Sequence, residues 1–455
     1  MDAALGMLSY VGWVLLAIMI LVFVHELGHF LLAKLFGMRV DKFSIGFPPK
    51  VIGKTIGETE YVIGLTPLGG YVKIAGMIDE SMDDDYATSA PQPWEFRSKP
   101  VWQRSLVIVA GVVFNMILAA LIFISLKASY GEVFVPSLGS VRVEDGSVAY
   151  QMGLRSGDQV ILVNGRTIEE TGGLSRAEET LLADPFTVTV ARGADTLLFT
   201  GPRDLFTQLS RSEGRFGVAY DPPVIGTVGE GTPAEEAGLR RGDWILALNA
   251  DSVRFWSNIT ERIGTSDGSA VTVRFLRPDS AGSAPSLTPI YRTTDGAVYE
   301  MVVTPRDNGG RFQFGILPYF EVREFSVLAA IPAGIGDAWT NTRVIATSLK
   351  RVFTGQENFR ENVGGPIMIA KITKEAADQG AAFFWNIVAM LSITLAIINI
   401  LPIPALDGGH LAFLIYEGIT RKEPSVKVRM VMQQVGMFLL LGFMAFVILN
   451  DLLKL

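Results

Sequence analysis

The chain has no cysteine and only three histidines among its 455 residues. The first absence excludes disulfides and thiolate metal sites, and it fits an oxidising compartment without requiring one. The second confines imidazole chemistry to two short stretches, because the histidines are His25, His29 and His410. Basic runs are missing as well. The net charge is −7, and no Lys/Arg block or basic stripe interleaved with aromatics occurs, so no nucleic-acid partner is expected. No Lys or Arg precedes Leu8, and no early small-residue cleavage site follows. The first apolar run therefore lacks the marks of a signal peptide and is expected to stay in the mature chain.

Apolar residues are abundant instead. They make up 49% of the sequence, and the mean hydropathy is +0.35. A soluble protein of this length is rarely so apolar, which points to a membrane protein with soluble parts. Four stretches, roughly 7–33, 105–126, 383–401 and 430–449, are long enough to cross about 30 Å of hydrocarbon as helices. Trp13, Trp102 and Trp385 stand near their ends, where interfacial aromatics concentrate. The 34–104 loop is rich in Lys and Arg, and the 418–429 loop carries Arg421, Lys422, Lys427 and Arg429. The positive-inside tendency puts both loops in the cytoplasm, and both termini and the long 127–380 segment outside.

The outer segment contains a repeat. "GSVAYQMGLRSGDQVILVNGRTI" (146–168) aligns with "GTPAEEAGLRRGDWILALNADSV" (231–253). Identities include Gly153/Gly238, Asp158/Asp243 and Asn164/Asn249. Each copy reads as a short helix, a glycine-terminated turn, a Gly-Asp turn and an apolar strand. The pattern resembles PDZ domains, most closely in the second copy. Between the first two spans, "EYVIGL" and "GYVKI" read as strands. Helices are expected near 325–353 and 366–378, lying on the outer membrane surface. The acidic patch "DESMDDDY" (79–86) reads as a solvated loop.

The second, third and fourth spans hold no ionisable residue between their flanks, whereas the first holds His25, Glu26 and His29. A charge at mid-bilayer costs roughly 2.5–3.5 kcal/mol on the insertion scale, so such groups usually serve a function and face a protein interior. His25 and His29 are one helical turn apart on one face and can grip one metal ion. Glu26 lies beside them and can reach a water on that ion, which is the mechanical sense of H-E-x-x-H. A catalytic zinc wants a third protein ligand. "NILPIPALDGGH", just past the third span, offers Asp407 and His410. Its prolines break the helix and Gly408 and Gly409 free the backbone. Chemistry alone leaves the choice between Asp407 and His410 open.

These residues resemble the site-2 protease family of intramembrane zinc metalloproteases. "HELGH" matches its HExxH, "NILPIPALDGG" its NxxPxPxLDG, and "LGGYVKI" (68–74) its hairpin segment between spans one and two. Four spans with tandem PDZ domains between the second and third resemble the branch found in Gram-negative bacteria. The resemblance covers essentially the whole chain. It implies one Zn2+ per chain on His25, His29 and Asp407, with Glu26 as catalytic base and His410 in a supporting role. It implies substrate contacts at Asn399, Pro402, Pro404, Tyr61, Gly69 and Gly70. The family's second span often carries Gly-Pro before an Asn. Here "AGVVFN" has Gly111 and Asn115 without the proline, so the resemblance assigns Asn115 no role. Nor does it assign one to "GGP" at 364–366.

The expected fold is a polytopic α-helical membrane protein with a membrane-associated β-hairpin region and two α+β PDZ-like domains. Its parts are transmembrane helix 1 (1–36), a cytoplasmic-side loop with strands (37–104), helix 2 (105–127), PDZ-like domains (128–222 and 223–317), an amphipathic segment (318–380), helix 3 (381–410), a cytoplasmic loop (411–429) and helix 4 (430–455). The expected activity is cleavage of single-span transmembrane proteins in the bacterial inner membrane. The family implies a pre-clipped anti-sigma factor as substrate and remnant signal peptides as a second class. The PDZ pair either binds exposed C-terminal peptides or excludes substrates with bulky outer domains, and the family favours exclusion as at least part of its role. The rival reading is a PDZ-bearing metal-binding scaffold or metal transporter. A transporter spreads polar residues along a path through several spans, whereas here they converge at one depth. A serine protease is excluded because no histidine lies between 30 and 409.

Overall fold

The computed structural model describes residues 2–77, 90–134, 140–167, 183, 185–211, 216–279, 288–307, 312–357 and 364–454. The acidic patch at 79–86 lies outside them. The chain divides into two compact units, one of residues 1–131 and 324–455 and one of residues 132–323.

The first unit is built on seven helices among the described residues: α1 (Asp2–Leu35), α2 (Val101–Tyr130), α3 (Val327–Phe353), α4 (Pro366–Gln379), α5 (Ala381–Ile400), α6 (Asp407–Thr420) and α7 (Val426–Lys454). Of these, α1, α2, α5 and α7 are long and apolar enough to cross a membrane. They extend a turn or so past most of the apolar stretches that announced them. Lipid explains the pattern on α2. Leu106, Val113, Ile117 and Leu121 are exposed along one side, while Arg104, Gly111, Asn115 and Ala119 are buried along the other. A helix facing hydrocarbon keeps apolar residues outward and small or polar ones against its neighbours. Gly28 lets α1 approach α2 closely, since a Cβ there would stand 2.5 Å from the Ala110 carbonyl oxygen.

Two strands follow α1, β1 (Val40–Ile56) and β2 (Thr59–Ile74). Both fold back on themselves. Residues 42–45 stand opposite 70–73 on one side and 60–63 on the other, while 50–56 pair with 59–64. The result is a sheet of four ribbons, with 70–74 along one border. The expectation of strands in this loop holds, and β1 adds one that the sequence reading did not name.

The expected surface helices are α3 and α4. Gly334 of α3 packs against the Ile124 backbone of α2, and Lys127 meets Asp337 at 3.3 Å. The "GGP" stretch opens α4. There the carboxylate of Asp451, near the end of α7, accepts the backbone N–H groups of Gly365 (2.8 Å), Ile367 (3.1 Å) and Met368 (3.1 Å). A helix start leaves such donors without intrahelical partners. Connection 411–429 is less of a loop than expected, because α6 occupies it as far as Thr420.

In the second unit the sequence repeat is a structural repeat. Val163 pairs with Val188 and Gln159 with Ala191. The equivalent pairs are Leu248 with Val273 and Trp244 with Leu276. Each ladder slips by one residue at the same place, between 160 and 162 in one copy and 245 and 247 in the other. The shared Asp anchors the turn ahead of each strand. Asp158 caps the Arg155 N–H and is gripped by Arg192; Asp243 caps the Arg240 N–H and is gripped by Arg277. Each copy closes its own core, around Val188 and Leu154 in one and Val273 and Phe275 in the other. Strand Glu132–Phe134 pairs with Glu321–Arg323, which brings the two ends of this unit side by side.

Candidate metal centre

The helix α5 stops at Ile400, and Leu401 turns extended (φ −64°, ψ 142°) ahead of Pro402, as a residue before proline tends to. Ala405 then takes a left-handed φ of 76°, a conformation that costs a non-glycine residue about 1 kcal/mol or more. The chain re-enters a helix at Asp407. Gly408 and Gly409 let the new helix fold back on the break. A Cβ at Gly408 would strike the Leu401 carbonyl, and one at Gly409 would stand 2.5 Å from the Ile403 oxygen. The carboxylate of Asp407 thus sits in the first turn of α6, where the helix dipole favours a negative charge.

Three ligand-type side chains from two distant stretches meet here. His25 Nε2 lies 3.0 Å and His29 Nε2 3.4 Å from Asp407 Oδ2, and the two Nε2 atoms are 3.2 Å apart. Among the described residues this is the group of His, Asp or Glu placed to hold a metal ion. His410, the other candidate, lies outside it. The tautomer of His29 can be fixed. Its Nδ1 sits 2.8 Å from the Val107 carbonyl, which only accepts, so Nδ1 carries the hydrogen and a neutral ring points its Nε2 lone pair inward. Asp407 Oδ2 is buried and has no hydrogen-bond donor. His29 Nε2 and Asp407 Oδ2 are thus acceptors turned toward one another, which repel, and a shared cation resolves the conflict. The donor set of two imidazoles and a carboxylate suits zinc.

Glu26 turns to the side of this cluster and accepts the backbone N–H of Val72, on the border ribbon of the sheet. Asn399 Nδ2 stands 3.3 Å from His25 Nε2. The remaining expected contacts lie further out. Gly69 and Gly70 keep the ribbon close to its neighbours, a Cβ on Gly70 coming within 2.5 Å of the Ser44 oxygen. Tyr61 joins an aromatic cluster with Phe30 and Phe43. Pro404 receives α7 at Gly436, whose Cβ would collide with its carbonyl, and Pro402 stays in the helix break.

Sequence reasoning missed what α2 brings. Val107, Gly111 and Asn115 recur every four residues and share one face. The Val107 carbonyl takes the His29 Nδ1–H, and Asn115 Nδ2 lies 3.3 Å from His25 Nδ1. Gly111 makes room for both rings: a Cβ there would stand 2.5 Å from His29 Nε2 and 2.6 Å from His25 Cε1. A backbone carbonyl leaves no mark in a sequence. The spacing of Gly111 and Asn115 on one apolar helix was the only available signal.

Comparison with known proteins identifies the family. The model of peptidase family M50 matches residues 13–443. A "Putative zinc metalloprotease" of Xylella fastidiosa (strain Temecula1) is 30% identical over 98% of this chain and 99% of its own. The "Regulator of sigma E protease" of Haemophilus influenzae is 29% identical over 98% of each, and the "Regulator of sigma-E protease RseP" of Salmonella typhimurium is 29% identical over 97% and 98%. The family match runs from the first of the four long apolar helices into the last, across His25 and His29 of α1 and the Asp407 that meets them from the start of α6, and it shows that this chain belongs to peptidase family M50.

Proposed function

We propose that the protein is an intramembrane zinc metalloprotease of site-2 type, with His25, His29 and Asp407 holding the metal and Glu26 acting as general base. The observation that carries this reading is the convergence of two buried imidazoles on a helix long and apolar enough for a membrane with the half-buried carboxylate of Asp407, their ligand atoms within 4.8 Å of one another. When bound, zinc supplies the Lewis acidity that makes water a nucleophile near neutral pH. Glu26 takes the proton of that water and passes it to the leaving amine. The Val72 N–H holds its carboxylate against the sheet border.

A transmembrane helix hides its carbonyls in internal bonds, so the substrate must unwind before cleavage. The 70–74 ribbon offers an edge on which an extended segment can pair. Gly69 and Gly70 keep that edge free of side chains, and Tyr61 supports the sheet from within. Asn399 donates to the substrate backbone from the other side, on a helix end set by Pro402 and Pro404. The basic 34–104 and 418–429 loops support a site toward the cytoplasmic side of the bacterial inner membrane.

Two of the relatives are named as regulators of sigma E. By that analogy the substrate is a single-span anti-sigma factor already clipped outside, with remnant signal peptides as a second class. The repeats of the 132–323 unit are PDZ-like domains that either exclude substrates with bulky outer parts or bind exposed C-termini. Because the ends of this unit pair side by side, it can be excised and replaced by a short linker. Exclusion predicts that the excised enzyme cuts intact substrates, and obligatory recognition predicts that it cuts nothing. The central reading is tested by Glu26→Gln, which should fold and retain zinc yet leave a detergent-solubilised single-span substrate uncut. Cleavage at the wild-type rate would remove Glu26 from its assigned role.

A further inference from the structure

The two imidazoles of the centre are supported unequally. Val107 offers His29 a backbone carbonyl, whose direction is fixed by α2. His25 Nδ1 faces instead a side-chain amide, that of Asn115, at 3.3 Å. An amide can present its oxygen or, after a half-turn about its last bond, its nitrogen. The choice governs the ring. Amide nitrogen toward Nδ1 puts the His25 hydrogen on Nε2, where it points at Asp407 Oδ2 3.0 Å away and occupies the place of a metal. Amide oxygen toward Nδ1 puts the hydrogen there and leaves Nε2 as a lone pair directed into the cluster.

The surroundings bear on that choice. Asn115 is wholly buried, and its Oδ1 has no hydrogen-bond partner, an arrangement proteins rarely leave in place. Its backbone is pinned, because buried Ser392 of α5 donates to the Asn115 carbonyl at 2.8 Å. Ser392 and Asn399 are two turns apart on the same face of α5. One helix therefore steadies Asn115 behind His25 and sets Asn399 in front of it. The amide is held in position but keeps its rotation about the last bond.

Resting on the reading of His25 as a metal ligand, we propose that Asn115 is a positioning residue. Its Oδ1 accepts the His25 Nδ1–H and so selects the tautomer whose Nε2 binds zinc, as Val107 does for His29. Residues of this kind, removed from around metal ligands, typically cost 10–100-fold in metal affinity. Asn115→Leu fills the space without an acceptor and should weaken zinc binding within that range. Asn115→Asp keeps an acceptor at the same place and should stay within about threefold of wild type.

The test uses the full-length protein in detergent, with zinc as the probe and a competing chelator as the readout, beside His25→Ala. A loss with His25→Ala but none with Asn115→Leu overturns the proposal and leaves the metal reading standing. No loss with His25→Ala sinks the metal reading itself. Folding of the variants does not limit the test, because the wild type can be read directly. With only three histidines in the chain, ¹⁵N-histidine labelling gives three imidazoles to assign. The zinc-loaded protein should show His25 carrying its hydrogen on Nδ1. A His25 hydrogen on Nε2, or an Asn115→Asp protein that folds but binds zinc as weakly as Asn115→Leu, refutes the role.

Discussion

Gly111→Ala adds one methyl group at the point where α2 meets both histidines of the proposed metal centre. Its Cβ would stand 2.5 Å from His29 Nε2, 2.6 Å from His25 Cε1 and 2.8 Å from His25 Nδ1. Non-bonded contacts settle near 3.5 Å, so a ring or a helix must retreat by about 1 Å. Metal sites tolerate deviations of about 0.2 Å in ligand distance, roughly a fifth of that retreat. Zinc affinity should fall by about 100-fold, the upper end of what supporting residues contribute, because this methyl displaces ligand atoms themselves. Gly442→Ala is the matched control. It too lies inside a long helix but has nothing within 4 Å. Both substitutions gain about 1 kcal/mol of helix propensity, so their difference isolates the contact. Chelator competition on the purified proteins reads the affinity, and thermal unfolding shows whether α2 has moved bodily. Wild-type zinc affinity in Gly111→Ala would refute the reasoning, since the described packing leaves no room for the methyl.

The repeated Asp–Arg pairs should differ in strength. Arg277 and Asp243 are 1% and 0% exposed, so Arg277→Met strands a buried carboxylate and should cost 3–5 kcal/mol. Arg192→Met should cost less, because Arg192 is 38% exposed and solvent can reach the vacated site; equal losses in pulse proteolysis would contradict this. Arg104 grips Glu417 through two bonds, of 2.5 and 3.1 Å, tying α2 to α6. Arg104→Ala should lower stability by about 3 kcal/mol, and the exchanged pair Arg104→Glu with Glu417→Arg should recover part of it; no recovery would mean the loss is packing alone. Gly365→Val places its Cβ 2.6 Å from Asp451 Oδ2, so the amides of Ile367 and Met368 should exchange hydrogen faster, and unchanged exchange would mean Asp451 is not what protects them.

What the sequence made legible follows from where its signals are local. Two histidines a turn apart with Glu26 between them, in an otherwise apolar run, mark a site because each is costly there without a partner. The Gly-Asp turns of the two repeats were equally plain, since glycine and a capping carboxylate act within a few residues. Arg192 and Arg277, which complete those turns from 34 residues away, escaped notice because they sit in strands that look ordinary. The same limit hid α2's part in the centre. Val107 acts through its backbone, and Gly111 and Asn115 gain meaning only when α1 lies against them. The "GGP" stretch had no assigned role because its partner, Asp451, is 86 positions from Gly365. Residue chemistry alone left Asp407 and His410 open and only the resemblance pointed to Asp407; the helix break, with the strained Ala405 and two glycines, is what brings that carboxylate to the two histidines.

The account stands or falls on the metal. An anomalous-scattering map of the full-length enzyme, collected across the zinc absorption edge, should show one peak bounded by His25 Nε2, His29 Nε2 and an Asp407 carboxylate oxygen. A peak elsewhere, or an active enzyme with none between those three side chains, would contradict it.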